Sequence, residues 1–254
     1  VRAGAGRLRL DRLLVERGLA ESRARAEALI LAGRVSVAGR ADVKPGTAVR
    51  FDAEISLTEA EHPWVSRGGV KLAAALDHFG IDPAGKICLD IGASTGGFTD
   101  VLLARGARRV YAVDVGHGQL HAKLRHDPRV VLLEKVNARR LSGREVPEPA
   151  GLLVADVSFI SLTMILPAAV PLLAPGAAAI LLVKPQFESA RGEVGKGGIV
   201  RDPSVRERSV SRIVDAGREL GLSPLGTIPS PIRGADGNEE FLAAFRAAGR
   251  AVSR

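Results

Sequence analysis

Four ionisable residues stand where apolar runs begin or stop. Asp156 follows Leu152 to Ala155, and Lys184 follows Ala177 to Val183. Lys71 sits in Ser66-Arg-Gly-Gly-Val-Lys-Leu, and Glu240 opens an apolar run in Gly237-Asn-Glu-Glu-Phe. Each alone reads as a solvated charge. An ion that ends a continuous apolar strand is different, because the carboxyl ends of strands in an open α/β sheet are where ligands bind. Two amines and two acids at such an edge could move a proton. Burial and a second amine lower an amine from its usual value of about 10.4 toward a working base, while a carboxylate beside it favours the ammonium and orients it.

A second cluster lies upstream. Asp90-Ile-Gly-Ala-Ser-Thr-Gly-Gly-Phe-Thr joins an apolar strand to a helix, and Asp114 ends the next strand, where an acid can accept from ribose hydroxyls. Glycines there let the main chain approach a ligand. A dinucleotide site wants Gly-x-Gly-x-x-Gly, but Ser94 stands where the second glycine would clear space for pyrophosphate. Asp90, two residues before Gly92, would repel a diphosphate and suits the cationic end of S-adenosyl-L-methionine. The expected cofactor contacts are Asp90, Gly92, Ser94, Gly96, Gly97, Phe98, Asp114 and Asp156, with Asn137 near the adenine; no metal site is expected.

These residues need elements to hold them. Strands at Ile87 to Ile91, Val110 to Val113, Val130 to Leu133, Leu152 to Ala155 and Ala177 to Val183 alternate with helices, including one from Gly97 to Arg105 and one from Pro203 to Leu220. This predicts an α/β fold, a doubly wound, Rossmann-like and mainly parallel sheet. The uncharged stretch Val157 to Val183 is long enough to span a bilayer. Pro167, Pro171 and Pro175-Gly176 interrupt it, so it reads as a buried helix, a Pro-Gly turn and a buried strand.

The first 60 residues form a smaller α+β unit. Leu10, Leu13 and Leu14 share a helix face that Gly18 ends; Ser22 caps a second helix ended by Gly33; Val35 and Val37 alternate into a strand; and Lys44-Pro45-Gly46 makes a turn. The expected division is 1–60, a linker at 61–66, and a large domain at 67–254.

The chain's 254 residues are 46% hydrophobic and 25% charged, a globular mix that excludes collagen-like and wholly disordered chains. A formal charge of +8 favours an anionic partner. Arg7, Arg9, Arg23 and Lys44 suggest a face toward phosphates, and Phe159, three residues past Asp156, offers an aromatic surface for an extruded base. The one cysteine, Cys88, lies inside a strand and supplies neither a disulfide nor a nucleophile, so a cytoplasmic setting is expected. No secretory segment is recognisable, and no membrane partner is expected. The oligomeric state is left open.

Residues 9–46 resemble the S-four RNA-binding domain over Arg9-Leu-Asp-Arg-Leu-Leu, Ser22-Arg-Ala-Arg-Ala-Glu-Ala-Leu-Ile, Ala32-Gly-Arg-Val-Ser-Val and Lys44-Pro-Gly. Ala38-Gly39 departs from that family's usual Asn-Gly. The larger part resembles FtsJ-type ribose 2′-O-methyltransferases, whose Lys-Asp-Lys-Glu tetrad maps onto Lys71, Asp156, Lys184 and Glu240. Ser66-Arg-Gly-Gly, the Asp90 segment, Asp114-Val-Gly-His-Gly-Gln-Leu, Ala155-Asp-Val-Ser-Phe-Ile-Ser and Val183-Lys-Pro-Gln-Phe-Glu look like the TlyA family in particular. The resemblance implies an S-adenosyl-L-methionine-dependent enzyme that methylates cytidine ribose in 16S and 23S ribosomal RNA within ribosomal subunits. Lys184 would be the base or a steering group, with Lys71 and Glu240 positioning the ribose. Some members carry the name hemolysin, which keeps a membrane-active protein as one alternative. A catalytically idle RNA-binding assembly factor is another.

Overall fold

The computed structural model describes residues 6–20, 22–31, 33–57, 62–234 and 237–249. The linker expected at 61–66 is therefore described from His62 onward. Contacts divide the chain into two units, Val1–Arg67 and Gly68–Arg254.

In the first unit, β1 (Arg7–Arg9) leads into α1 (Leu10–Glu16), followed by α2 (Arg23–Leu31), β2 (Val35–Val37), β3 (Ala48–Arg50) and β4 (Ile55–Leu57). β1 pairs with β3 and β2 with β4, both antiparallel. Leu10, Leu13 and Leu14 meet Ala26, Leu29, Ile30 and Val35 in its core. Gly18 takes a positive φ of 69° just past α1, and Ser22 Oγ accepts from the Arg25 amide at 3.2 Å to cap α2. Ala38 and Gly39 both have positive φ, 49° and 76°, in a two-residue turn closed by reciprocal Val37–Arg40 main-chain bonds of 2.9 and 3.0 Å. The tight turn forms with alanine where asparagine would sit more easily.

The second unit opens with α3 (Gly68–Phe79), then β5 (Ile87–Ile91), α4 (Gly97–Ala104), β6 (Arg109–Asp114), α5 (Ala122–Arg125), β7 (Val130–Glu134) and β8 (Ala150–Ala155). Short helical turns between Leu162 and Leu172 include α6 (Leu166–Ala169). They precede β9 (Leu173–Val183), α7 (Pro185–Glu188), α8 (Pro203–Glu219), β10 (Leu222–Pro229) and β11 (Phe241–Ala247). The seven-stranded sheet has the order β10-β11-β9-β8-β5-β6-β7. β5, β6, β7, β8 and β9 are parallel, and β11 runs against both of its neighbours. From β5 the chain proceeds outward through β6 and β7, then returns to build β8 and β9 on the other side. The crevice between β5 and β8 is the switch point where such sheets hold ligands.

One expectation needs correction. Pro175-Gly176 does not separate a helix from a strand: β9 begins at Leu173, and its pairing with β8 jumps from Ala150–Leu173 to Leu152–Ala178. The Pro-Gly pair is absorbed in a bulge, with Gly176 at φ 72°. The uncharged stretch is otherwise spent on the core, where Leu162, Leu166, Ala169, Leu181 and Val183 pack with β5 and β8. Among the described residues no helix is long and apolar enough to cross a membrane.

Candidate active site

The sheet delivers all four candidate ions to one edge. Asp156 and Lys184 directly follow β8 and β9, which run parallel, so both lie past carboxyl ends. β11 is antiparallel, so its beginning reaches the same edge. Phe241 pairs with Val183, and one further step of that register sets Glu240 opposite Lys184. Lys71 comes from the first turn of α3.

Two ion pairs result. Lys184 Nζ lies 2.6 Å from Asp156 Oδ1 and donates to Ser158 Oγ at 3.0 Å. Lys71 Nζ donates to Glu240 Oε2, and both side chains are buried. The neighbouring acids part company: Glu239 faces Arg206 and Arg233, whereas Glu240 faces Lys71. Gly234 backs Glu240 so closely that a Cβ there would strike the Glu240 carboxylate.

The turn after β5 is shaped by near contact. Gly92 has φ 84°, and a Cβ on it would run into the main-chain oxygen of Asp156. The Asp156 amide in turn donates to Ile91 O at 2.9 Å, tying the two halves of the sheet at the crevice. Asp90 is wholly buried. One of its oxygens accepts from Thr99 Oγ1 at 2.6 Å, and Oδ1 has no partner among the described residues. Burial, with the charge of Asp156 adding to it, pushes the Asp90 carboxyl up to about 7. Asp114 accepts from the Ser94 amide at 2.8 Å and the Gly116 amide at 2.6 Å, which braces the turn and leaves each oxygen one further lone pair. Ser94 is itself held at φ 49°.

The remaining cofactor candidates have structural duties. Gly96, at φ 98°, admits the Leu120 and Leu124 side chains, which a Cβ would strike. Gly97 is the buried first residue of α4, and Phe98 is 3% exposed, inside the core. Asn137 is exposed and caps a helical turn by accepting from the Arg139 amide at 3.1 Å.

Phe159 is 91% exposed with φ 64°, a conformation that a bulky residue adopts at a cost. Its ring lies 5.2 Å from that of Phe187, and Lys184 Nζ sits 5.9 Å from the Phe187 ring centre. Glu188 accepts from Ser161 Oγ and the Leu162 amide, pinning the loop that carries Phe159 to α7. Ser158, Phe187, Glu188 and Gly234 were not singled out from sequence. The first three lie inside segments read for Asp156 and Lys184, and only tertiary pairing gives them a role.

In the first unit, Arg9 and Arg23 converge on Asp11, whose side chain is fully buried. Their guanidiniums hold that carboxyl well below the usual carboxylate range. Arg9 also lies over Gly46, in the turn that Lys44 begins, and Arg7 shares its exposed face of β1. Of the four cations expected to face phosphates, Arg9 and Arg23 therefore meet, and the acid they meet on is buried.

Comparison with known proteins agrees with this geometry. A model of the FtsJ-like methyltransferase family matches residues 64–247, and one of the S4 domain matches residues 8–55. The chain is 51% identical, over 93% of its length and 89% of the relative's, to a Mycobacterium tuberculosis protein named 16S/23S rRNA (cytidine-2'-O)-methyltransferase TlyA. It is 44% identical to Hemolysin A of Brachyspira hyodysenteriae, over 94% of this chain and 99% of that one. A solved structure from Streptococcus thermophilus that carries a hemolysin name aligns with a TM-score of 0.75 at 42% identity, covering 96% of this chain and 90% of that chain. With its tetrad edge, its Gly-rich turn and these matches, the chain belongs to the FtsJ-like methyltransferase family and carries an S4 domain ahead of the methyltransferase unit.

Proposed function

We propose that this protein transfers the methyl group of S-adenosyl-L-methionine to the 2′ oxygen of a cytidine ribose in 16S ribosomal RNA, 23S ribosomal RNA or both, acting on ribosomal subunits in the cytoplasm. The observation that carries the reading is the meeting of Lys184–Asp156 and Lys71–Glu240 at one sheet edge. The name of the Mycobacterium tuberculosis relative supplies the nucleotide.

The turn fits the cofactor. A buried acid with an unpartnered oxygen, Asp90, calls for a cationic donor, and Gly92 keeps the main chain clear beside it. Asp90, Gly92, Ser94 and Asp114 would hold S-adenosyl-L-methionine. When bound, it supplies a methyl group on a cationic sulfur, already activated for displacement.

What remains for the protein is orientation and one proton. Holding reactants in line is worth about 7–11 kcal/mol in good cases. Lys71 and Glu240 fix the ribose, and Lys184 Nζ meets the 2′ hydroxyl, either as a neutral amine that has first lost its own proton to solvent and takes the hydroxyl's, or as the ammonium that Asp156 favours, steering the oxygen. Phe159 receives the base of the extruded nucleotide, and the 1–60 domain binds the surrounding RNA.

The test is transfer of labelled methyl to unmodified ribosomal subunits, with the RNA digested and analysed by mass spectrometry. The expected product is a 2′-O-methylcytidine. Lys184→Ala should lower kcat by roughly 10²–10⁴ while cofactor binding persists. Lys184→Arg keeps the charge but cannot accept a proton, so an equal loss identifies a base and retained activity identifies a steering group. Wild-type activity in both variants would remove Lys184 from the mechanism.

A further inference from the structure

The loop between α7 and α8 carries a feature that the methyl-transfer reading leaves unused. Gly195 and Ile199 form a bridge, with the Gly195 amide donating to Ile199 O at 3.1 Å and the Gly198 amide donating back to Gly195 O at 3.0 Å. Lys196 stands at the tip. The two glycines after it have φ of 81° and 77°, and side chains built on either would meet nothing within 4 Å. The amides of Lys196 and Gly197 have no acceptor among the described residues.

This hairpin is rigidly mounted. Asn238 is 2% exposed; its Oδ1 accepts from the Val200 amide at 2.9 Å and its Nδ2 donates to Gly198 O at 2.8 Å. Its main-chain oxygen accepts from Gly234, the residue that backs Glu240. Glu240 is two residues further on. The hairpin is therefore bonded to the segment that leads to Glu240.

Charge is distributed selectively around it. Arg206 and Arg233 pair with Glu239, Arg208 pairs with Glu193 at 2.6 Å, and Arg212 donates to Glu188 O at 2.9 Å. Lys196 and Arg201 are exposed and have no acidic partner among the described residues. The Arg201 guanidinium lies against the hairpin, 3.1 Å from where a Cβ of Gly195 would be. Two cations without an acidic partner, two amides without an acceptor and two bare glycines, among the described residues, make a surface for a phosphate oxygen. The side of the sheet decides whose phosphate. The cofactor candidates Asp90, Ser94 and Asp114 sit at β5 and β6, whereas this loop follows β9 and is bonded to the approach to β11.

We infer that the Gly195–Ile199 hairpin, with Lys196 and Arg201, grips a backbone phosphate of the RNA strand beside the target nucleotide. The inference rests on the RNA-methylation reading. It adds a phosphate contact in the second unit, independent of the basic face of the first.

The experiment measures KM for ribosomal subunits and the salt dependence of binding to their RNA, using the full chain. Lys196→Ala and Arg201→Ala should each raise KM, by roughly fivefold near 0.1 M salt, and lower the slope of log affinity against log salt by about one. Lys196→Glu with Arg201→Glu should lower affinity further. Arg218→Ala, a surface cation on Asp215 near the far end of α8, is the control that changes neither quantity. Unchanged KM and slope in the hairpin variants would overturn the inference, as would a loss confined to kcat, which would mean that the hairpin only shapes the tetrad. Failure of the wild type to methylate any ribosomal RNA would instead overturn the parent reading.

Discussion

Asp90, a proposed cofactor contact, is a buried acid that weakens the fold carrying it. Its carboxyl stands at about 7 in the folded protein against 3.8 ordinarily, chiefly through burial. Between those values the folded protein holds a proton that the unfolded chain releases, so stability falls as pH rises from about 4 to about 7 and stays low above that. Asp90→Asn removes this dependence. Without cofactor its Tm should exceed that of wild type by a margin that grows from pH 4 to pH 7, while its affinity for S-adenosyl-L-methionine, by calorimetry, drops. A margin that does not grow over that window would contradict the assignment. Cys88 illustrates the opposite case: burial pushes its thiol up to about 12, and it contributes packing alone.

At the scale of elements, the central strands were legible because they are covered on both faces. A parallel strand buried on both sides is a continuous apolar run, and β5 is buried at all five positions. The ions that end such runs, Asp156, Lys184 and Asp114, stand out for the same reason. Pairing was not legible. Whether Glu239 or Glu240 meets Lys71 depends on the register of β11 against β9, and neither neighbour is distinguishable by type. Asp11 reads as a surface acid on a short helix, and its two arginines, one of them 12 residues away, together with the Arg12 amide make its burial tolerable. The bulge at Pro175-Gly176 likewise reads as an ordinary turn. Ala38 offers a direct check on local strain. An L-residue in the left-handed region costs roughly 1–2 kcal/mol, part of which glycine gives back in the unfolded chain. Ala38→Gly should raise the stability of the first unit by roughly 0.5–1 kcal/mol, measured as a shift in its urea midpoint.

Across the whole molecule, the net charge of +8 does not say which cations are free to meet RNA. Many arginines are committed to acids, and the basic face of the first unit is partly internal scaffolding. This separates two variants that charge alone would equate. Arg7 is exposed on β1 and has no acidic partner among the described residues, so Arg7→Ala should weaken RNA binding and leave the urea midpoint unchanged. Arg23→Ala withdraws a donor from Asp11 and should also lower stability, by about 1 kcal/mol, because its guanidinium is half exposed and Arg9 remains. Equal stability in the two variants would show that Arg9 and the Arg12 amide satisfy Asp11 without Arg23.

The single strand that runs against its neighbours has a consequence in time as well as space. β11 inserts between β9 and β10, so β10 gains its place in the sheet only through β11. The same strand brings Glu240 to Lys71 across 169 residues of chain. A growing polypeptide can lay down β5 to β9 and its cofactor turn early in synthesis, yet Lys71 then faces the crevice with no carboxylate to answer it. The order in which the ribosome makes these segments leaves the Lys71–Glu240 pair unmade until the chain reaches the last strand of the sheet.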